Sequence, residues 1–359
     1  MPAVRRLSVI QQTAAHLLTG IHEGRWGDKL PGVRPLSEEL GVSRDSLRAA
    51  VKLLEAEGHV TCPGAGRRRQ VSGKQAGPQR ALRIGVLLHL PLAKQNAEMQ
   101  RTLGDLRHDF ESVGHIWVFA SKAHRDLGDD PKQIAKVIAA AEADVWIIVA
   151  GSRGLLEWFS TQKILVIAFG GPSIDLPIAV SSIDFVPPTR AVVRHLTSLG
   201  HRRIVLISPP QWREPIPSRT QQAFFDELRA QGISASEYNA PAWDESAAGL
   251  HRLLDSLFQI TPPTALLVVE PPRVLAVLQF LNQHNLRIPQ DVSLVCMGQD
   301  SMFEWCDPPL AHFRYDLSLP KQRIVKWIAA VSRGTSDRKF RLFAAQFDPG
   351  GSTGPAAKH

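Results

Sequence analysis

The stretch LPGVRPLSEELGVSRDSLRAAVKLLEAEGHV, residues 30–60, decides how the first part of this chain folds. It predicts a short helix that ends at Gly41, a position suited to positive φ, and a second helix that Ser43 caps and that runs to about Glu57. The second helix has one apolar face and carries charge elsewhere on its surface. Two helices joined in this way form a helix-turn-helix, whose second helix can enter the major groove of DNA.

The residues around this motif complete a small predicted domain over residues 1–71. Before it, Leu7 to Ile21 carries an apolar stripe at helical spacing. After it, HVTCPGAGRRRQV, residues 59–71, predicts two short strands around a glycine-rich turn with three arginines, which is a wing. In the second helix the predicted buried positions are Leu47, Ala50, Val51 and Leu54, and the predicted exposed positions are Arg44, Asp45, Arg48 and Lys52.

The N-terminal region resembles the GntR-type winged helix-turn-helix. The Leu-Pro-x-x-Arg entry, the Gly-Val-Ser-Arg turn, the Leu-x-x-x-Gly end and the glycine wing occur in order at the spacing of that family. The resemblance implies DNA contacts at Arg34, Ser43, Arg44, Ser46, Arg48, Gly64 and Gly66. Asp45 departs from the family pattern: it either reads a cytosine amino group or sits in a local salt bridge. Arg67 in the wing is added as a phosphate contact.

Charge and composition agree with a nucleic-acid partner. The chain of 359 residues has a net charge of +8, and residues 1–76 hold twelve Lys/Arg against seven Asp/Glu. The three cysteines, Cys62, Cys296 and Cys306, form no CxxC pair, so neither a disulfide framework nor a metal site is predicted. No apolar run is long enough to cross a membrane and no signal peptide begins the chain, so we expect a cytoplasmic protein.

The rest of the chain predicts a different architecture. Residues 72–81 are small and polar and predict a linker, residues 82–347 predict an effector-binding and dimerisation domain, and residues 348–359 predict a disordered tail. Apolar runs alternate with helix-length amphipathic segments, which is typical of parallel βαβ units. The predicted fold class is therefore α/β, with two doubly wound parallel subdomains behind the winged helix-turn-helix. The predicted strands are 83–88, 116–119, 145–149, 164–168, 203–207, 265–269 and 292–296.

Several segments of this region resemble the effector domain of the lac and galactose repressors, which is similar to periplasmic sugar-binding proteins of type I. They are VSSIDFVPPTRAVVRHLTSLGHRRIVLIS (180–208), SRTQQAFFDELRAQGI (218–233) and IPQDVSLVCMGQD (288–300). The resemblance places the ligand-binding arginine at Arg219 and the ligand-binding aspartate at Asp300. A GntR-type head on such a domain is the architecture of arabinose-type repressors.

The ligand-binding hypothesis has open alternatives. Trp243 or Trp212 is expected to cover an apolar ring face, and Glu270 and His89 complete the candidate set. Arg219 could instead pair with Asp226 or Glu227, Asp300 could cap a loop, and either tryptophan could belong to the core. Glu270-Pro271-Pro272 and Gln299 depart from the family pattern, so a changed ligand is expected rather than a plain hexose or pentose.

These features predict a DNA-binding transcription regulator, a repressor, that acts as a homodimer on a double-stranded operator. A sugar-like effector between the subdomains controls operator affinity, and the sequence leaves open whether it releases DNA or is needed for binding. No enzyme, cofactor or membrane contact is predicted, because GxxxxGK[ST] and HExxH are both missing. The alternative is a cytoplasmic sugar-binding protein or an enzyme-like domain with incidental DNA affinity.

Overall fold

The computed structural model describes residues 9–22, 25–27, 29–56, 60–61, 69–71, 80–213 and 217–357. The chain divides into two compact units, and the division falls between Gln79 and Arg80. The first unit contains α1 (Val9–His22), α2 (Val33–Leu40), α3 (Arg44–Ala56), β1 (Val60–Thr61) and β2 (Gln70–Val71).

The first unit is built around one apolar cluster. It contains the four predicted positions of α3 together with Leu17 of α1 and Leu36 of α2, all of them buried. Gly41 follows α2 with φ at 63°, and the Ser43 hydroxyl accepts the Ser46 N–H at 3.1 Å. The predicted end of α2 and the predicted cap of α3 are therefore confirmed. β1 and β2 pair antiparallel, and the predicted wing turn between them lies outside the described residues.

The second unit holds ten strands that form one continuous sheet in the order β4-β3-β5-β6-β7-β12-β11-β10-β9-β8. The strands are β3 (Arg83–Leu88), β4 (Ile116–Phe119), β5 (Val145–Val149), β6 (Leu165–Phe169), β7 (Ala179–Asp184), β8 (Ile204–Ile207), β9 (Ala265–Val268), β10 (Ser293–Cys296), β11 (Ala311–Tyr315) and β12 (Phe340–Asp348). All neighbouring pairs run parallel except β11 with β12.

Nine α-helices cover the sheet of the described part of this unit. They are α4 (Ala97–Ser112), α5 (His124–Leu127), α6 (Pro131–Ala140), α7 (Arg153–Thr161), α8 (Val186–Ser198), α9 (Arg219–Ala230), α10 (Ala247–Ile260), α11 (Pro271–Gln283) and α12 (Ser318–Ser332). The central strands are buried along their whole length, because helices cover both of their faces. This coverage on both faces explains why their sequences are continuously apolar.

The unit consists of two lobes. The first lobe contains β3 to β7, α4 to α7 and α12; the second contains β8 to β11 and α8 to α11. Helices lie on both faces of each lobe, so the predicted class of two doubly wound subdomains is confirmed. β12 belongs to both lobes: residues 340–344 pair with β7, and residues 345–348 pair with β11. The chain also passes between the lobes after β7 and after β11.

Three strands were missed by the sequence analysis, namely β7, β11 and β12. β7 contains Ser181 and Ser182, which interrupt its apolar run, and only two of the five residues of β11 are buried, Ala311 and Phe313. In β12 only Ala345 is buried. These strands lie where the lobes meet and are covered less completely than the central strands, so their sequences lack the continuous apolar pattern.

The prediction of a disordered tail is wrong for residues 348–357. Asp348 ends β12, and Ser352, which is 1% exposed, bonds to both β10 and β11. Gly354 donates its N–H to the Ser293 hydroxyl, and Ala356 donates to the Leu199 carbonyl oxygen. The segment has little apolar surface to bury, but it satisfies buried polar groups of the second lobe, and this was not visible in its composition.

Candidate functional site

The start of α3 presents charged side chains to solvent. Arg44 is exposed and forms no hydrogen bond or ion pair with a described residue. Arg48 is also exposed, and its guanidinium lies 3.1 Å from the Asp45 carboxylate. The salt-bridge alternative for Asp45 is therefore the one that the structure contains. An exposed pair of this kind is weak, so Arg48 can exchange its partner for a phosphate or a base edge.

The other predicted DNA contacts divide into two groups. Arg34 near the start of α2 pairs with Glu38 at 3.3 Å, and both side chains are exposed. The Ser43 hydroxyl donates to the Ser46 hydroxyl at 2.9 Å while it caps α3, so both serines have a local structural role. The remaining three predicted contacts lie outside the described residues; they are Gly64, Gly66 and Arg67.

Arg69 has a role that the sequence analysis did not assign. Its Nε atom donates to Glu55 on α3 at 2.5 Å, and its carbonyl oxygen accepts the Leu30 N–H at 3.0 Å. Arg69 thus ties β2 to the second helix of the helix-turn-helix. Its position beside two other arginines suggested a solvent-facing wing charge, and only the distance between Glu55 and Arg69 in space reveals the pair.

The second unit contains a cavity of about 360 Å³ between the two lobes. It lies at the carboxyl ends of β5, β6 and β7, where parallel α/β sheets bind ligands. The first helical turns of α4, α7, α8 and α9 border it. Its charged lining residues are Glu98, Arg153, Asp184 and Arg219.

Two of the six predicted ligand residues, Arg219 and Trp212, line this cavity. Arg219 forms no ion pair with any described residue, because Asp226 pairs with Arg229 at 3.0 Å and Glu227 pairs with Arg194 at 2.8 Å. The alternative that placed Arg219 in a surface ion pair with either acid is therefore wrong. Trp212 also packs against the core of the second lobe.

The other four predicted ligand residues lie elsewhere. The Asp300 carboxylate accepts the Met302 N–H at 3.0 Å and caps the 3-10 helix Ser301–Trp305, so it has the capping role that was left open. Trp243 packs on the second lobe's core and donates to the Ser208 carbonyl oxygen at 2.8 Å. Glu270 and His89 belong, with Trp243, to a separate group of charged and aromatic side chains.

The centre of that group is an ion-pair cluster formed by Arg125, Glu245, Glu270 and Arg273. Arg273 binds the Glu245 carboxylate and lies 3.1 Å from that of Glu270. Glu245 also reaches the first lobe, since Arg125 lies 3.7 Å from its carboxylate and donates to its carbonyl oxygen at 3.1 Å. The Arg273 guanidinium stacks 5.0 Å from the centre of the Trp243 ring. The cluster therefore connects the lobes through the protein's own charges.

Burial changes the pKa of groups at the ion-pair cluster and at the cavity. Burial raises the pKa of Glu270, and the nearby Arg273 opposes that shift. Burial lowers the pKa of His89, and the neighbouring His124 lowers it further. At the cavity, burial raises the pKa of Glu98, although a hydrogen bond from Gln299 at 2.5 Å lowers it in part. Gln299 and Glu98 form a second polar contact between the lobes.

Sequence reasoning missed Glu98, Glu245 and Arg273. Glu245 and Arg273 stand in polar loop and helix-start positions, beside the predicted Trp243 and Glu270, but no local pattern separates them from other charged residues. Over the part of the chain that the structure describes, no helix is long and apolar enough to span a bilayer. The same residues contain no group of three or more His, Cys, Asp or Glu placed to hold a metal ion.

Two family models match the chain. Residues 9–66 match the bacterial regulatory proteins of the gntR family, and residues 193–353 match a periplasmic binding protein-like domain. The chain joins a GntR-type head to a periplasmic binding protein-like domain. The resemblances drawn from the two parts of the sequence are thereby confirmed.

Curated relatives of the chain are transcription regulators. The HTH-type transcriptional repressor CytR of Escherichia coli K12 is 28% identical over 150 residues, which are 41% of this chain and 43% of that protein. The HTH-type transcriptional regulator CelR of Thermobifida fusca is 24% identical over 181 residues, 48% of this chain and 52% of that protein. The chain thus spans about half the length of the curated relatives it matches.

Solved structures share the fold at lower identity. The lac repressor dimer bound to operator and the anti-inducer ONPF has a TM-score of 0.61 and 19% identity, and it covers 79% of this chain and 96% of that chain. The complex of the transcriptional regulator CelR with cellobiose has a TM-score of 0.62 and 15% identity, over 90% and 100% of the two chains. Identities this low support the fold alone.

Proposed function

We propose that the protein is a DNA-binding transcription regulator, a repressor, whose operator affinity depends on a small molecule bound between the lobes of its periplasmic binding protein-like domain. The observation that carries the proposal is the start of α3 in the GntR-type head. A capped helix buries one face and leaves Arg44 and Arg48 exposed on the other, which suits the phosphates and base edges of a major groove.

The interlobe cavity supplies the second half of the proposal. Three passages of the chain connect the lobes, so one lobe can rotate against the other while both keep their cores. A ligand that contacts both lobes favours the rotation that closes the cavity, because it binds that arrangement better than the open one. Sugars and sugar derivatives are the first class to consider, since the similar CelR structure is a complex with cellobiose.

A homodimer fits the same proposal. The similar lac repressor structure is described as a dimer bound to operator, and two heads related by a two-fold axis would match a pseudo-palindromic site. In this chain Trp305 is 90% exposed and Met302 is 51% exposed on the same 3-10 helix. Large apolar side chains exposed together are typical of interfaces. We expect Trp305→Ser to lower the dimer fraction in sedimentation velocity, and an unchanged fraction would exclude this helix from the interface.

Selection of duplex DNA from a random library tests the central proposal. We expect the full-length protein to enrich a pseudo-palindromic sequence and Arg44→Ala to bind that sequence at least about tenfold more weakly. Arg107→Ala is the matched control: it removes one exposed positive charge from α4 in the other unit, where Arg107 pairs with Glu111. Failure to enrich any sequence at low salt, or equal loss in both variants, would refute sequence-specific binding by α3.

A further inference from the structure

We propose that the interlobe cavity takes an organic anion with an apolar face, a carboxylate or a phosphate ester, rather than an uncharged sugar. The inference rests on the proposed function, because it assumes that this cavity is the effector site. The charges and the apolar side chains that line the cavity limit the class of ligand that it can bind.

Hydrogen bonds or ion pairs within the protein engage three of the four charged lining residues. Arg153 pairs with Glu157 at 2.6 Å and donates to the Ile174 carbonyl oxygen at 2.6 Å. Glu98 accepts from Gln299, and Asp184 accepts the Val186 N–H at 3.1 Å. Arg219 alone among the four charged lining residues has no hydrogen bond or ion pair with a described residue. Among the described lining residues, the exposed Arg219 is therefore the cation without such a partner. A guanidinium favours a carboxylate or a phosphate, which it can bind through two parallel hydrogen bonds.

The direction of the surrounding helices adds to this preference. Four helices begin at the cavity, and Arg219 is itself the first residue of α9. The start of a helix carries partial positive charge. Their combined field acts in a partly enclosed space, where it is screened less than at an open surface. A negative group beside Arg219 is stabilised both by the guanidinium and by the partial positive charge at the starts of these helices.

The uncharged side chains that line the cavity indicate the chemistry of the uncharged part of the ligand. Apart from its few polar groups, the cavity is lined by aliphatic and aromatic side chains, including Val149, Phe169, Ile183, Phe185, Trp212 and Leu342. A sugar needs a partner for each of its several hydroxyl groups. Asn96 accepts the Met99 N–H at 2.8 Å and Asp184 accepts the Val186 N–H, so part of the polar lining is already engaged by the protein itself.

The charged residues of the ion-pair cluster and Asp300 do not line the cavity, and they are occupied within the protein. Glu270 and Arg273 pair with each other, Glu245 joins them, and Asp300 caps its own helix. A ligand that displaced these contacts would have to replace each of them. A ligand that binds through Arg219 and apolar contact leaves the cluster intact, and this favours an anion with an apolar body.

Matched probes test the inference with the full-length protein. We would measure binding of 1-naphthoate, 1-naphthyl phosphate, the neutral 1-naphthylmethanol and D-glucose by isothermal titration calorimetry, each up to 10 mM. At least one anion is expected to bind with a millimolar or lower Kd, and more tightly than the alcohol or glucose. Comparison of the carboxylate with the phosphate shows which anionic group the site prefers.

Variants of one helix supply the controls. Arg219→Gln should weaken the anion at least about tenfold and leave the alcohol unchanged, because only the charge-assisted contact is lost. Arg229→Gln removes an exposed charge from the same α9 and should leave both unchanged. Equal binding of the alcohol and the anions, tighter binding of glucose, or no binding of either anion would overturn the inference. Selection of operator DNA with the same protein preparation tests the proposed function independently. A failure of the ligand prediction can therefore be distinguished from a failure of the proposed function.

Discussion

Replacing Ser352 by alanine should destabilise the second unit, although the residue lies in a polar segment close to the chain end. β11 begins at Ala311 opposite Val295, so it does not reach Leu294 at the start of β10. Ser352 fills that place. Its hydroxyl donates to the Leu294 carbonyl oxygen at 2.6 Å and accepts the Ala311 N–H at 2.7 Å, and its carbonyl oxygen accepts the Leu294 N–H at 3.0 Å.

The magnitude follows from the two groups that lose their partner. Ser352→Ala keeps the backbone bond but leaves the Leu294 carbonyl oxygen and the Ala311 N–H unsatisfied where water does not reach. Each such group costs about 1 to 3 kcal/mol, and partial relaxation of the segment brings the sum to about 2 to 4 kcal/mol. For a unit of this size we expect a decrease in Tm of about 4 to 8 °C.

Tryptophan fluorescence during thermal unfolding measures this change, because seven of the eight tryptophans, all except Trp26, belong to the second unit. Ser112→Ala is the control: its hydroxyl donates to the Asp109 carbonyl oxygen at 2.8 Å at the exposed end of α4, and we expect a shift of about 1 °C or less. If Ser352→Ala moved Tm no further than this control, the tail would not hold the sheet as the structure describes.

Three further outcomes follow. Arg48→Ala should weaken binding of the selected operator by about 1 to 3 kcal/mol in a mobility-shift titration, and an unchanged Kd would remove Arg48 from the DNA-reading surface. Arg273→Met leaves Glu270 without its ion-pair partner and Glu245 with only the more distant Arg125, so urea unfolding should show a loss of about 3 to 5 kcal/mol; an unchanged midpoint would contradict the cluster. Burial lowers the pKa of His201, so the unfolded chain binds a proton at this side chain more readily than the folded chain, and the free energy of unfolding should decrease as the pH falls below about 6.5. His201→Gln should make this pH dependence shallower. An equal slope of unfolding free energy against pH in both proteins would refute the role of His201.

The fold was predictable where one stretch of chain contains its own physical cause. Gly41 ends α2 because glycine adopts positive φ without strain, and Ser43 caps α3 through its own hydroxyl. β5 is apolar at every position because helices cover it on both sides. Signals of this kind lie within a few residues, so the sequence alone predicts the helix-turn-helix and the central strands.

The cavity and the ion-pair cluster were harder to predict because their contacts connect distant parts of the chain. Arg125 and Glu245 are 120 residues apart, and Glu98 and Gln299 are 201 apart. No local pattern links the members of such pairs. The resemblance placed Arg219 at the cavity, but it also assigned ligand binding to Asp300, whose carboxylate caps the following turn in this chain. The polar side chains that remain available to a ligand are those that form no pair with residues distant in the sequence.

β12 has a consequence for how the protein is made. The sheet of the first lobe contains residues 340–344, and α12, residues 318–332, packs in the same core. A ribosome must therefore synthesise the chain through residue 348 before either lobe can acquire β12. The first lobe therefore lacks a strand throughout the synthesis of the second, and the sheet of neither lobe can be complete until β12 has been made.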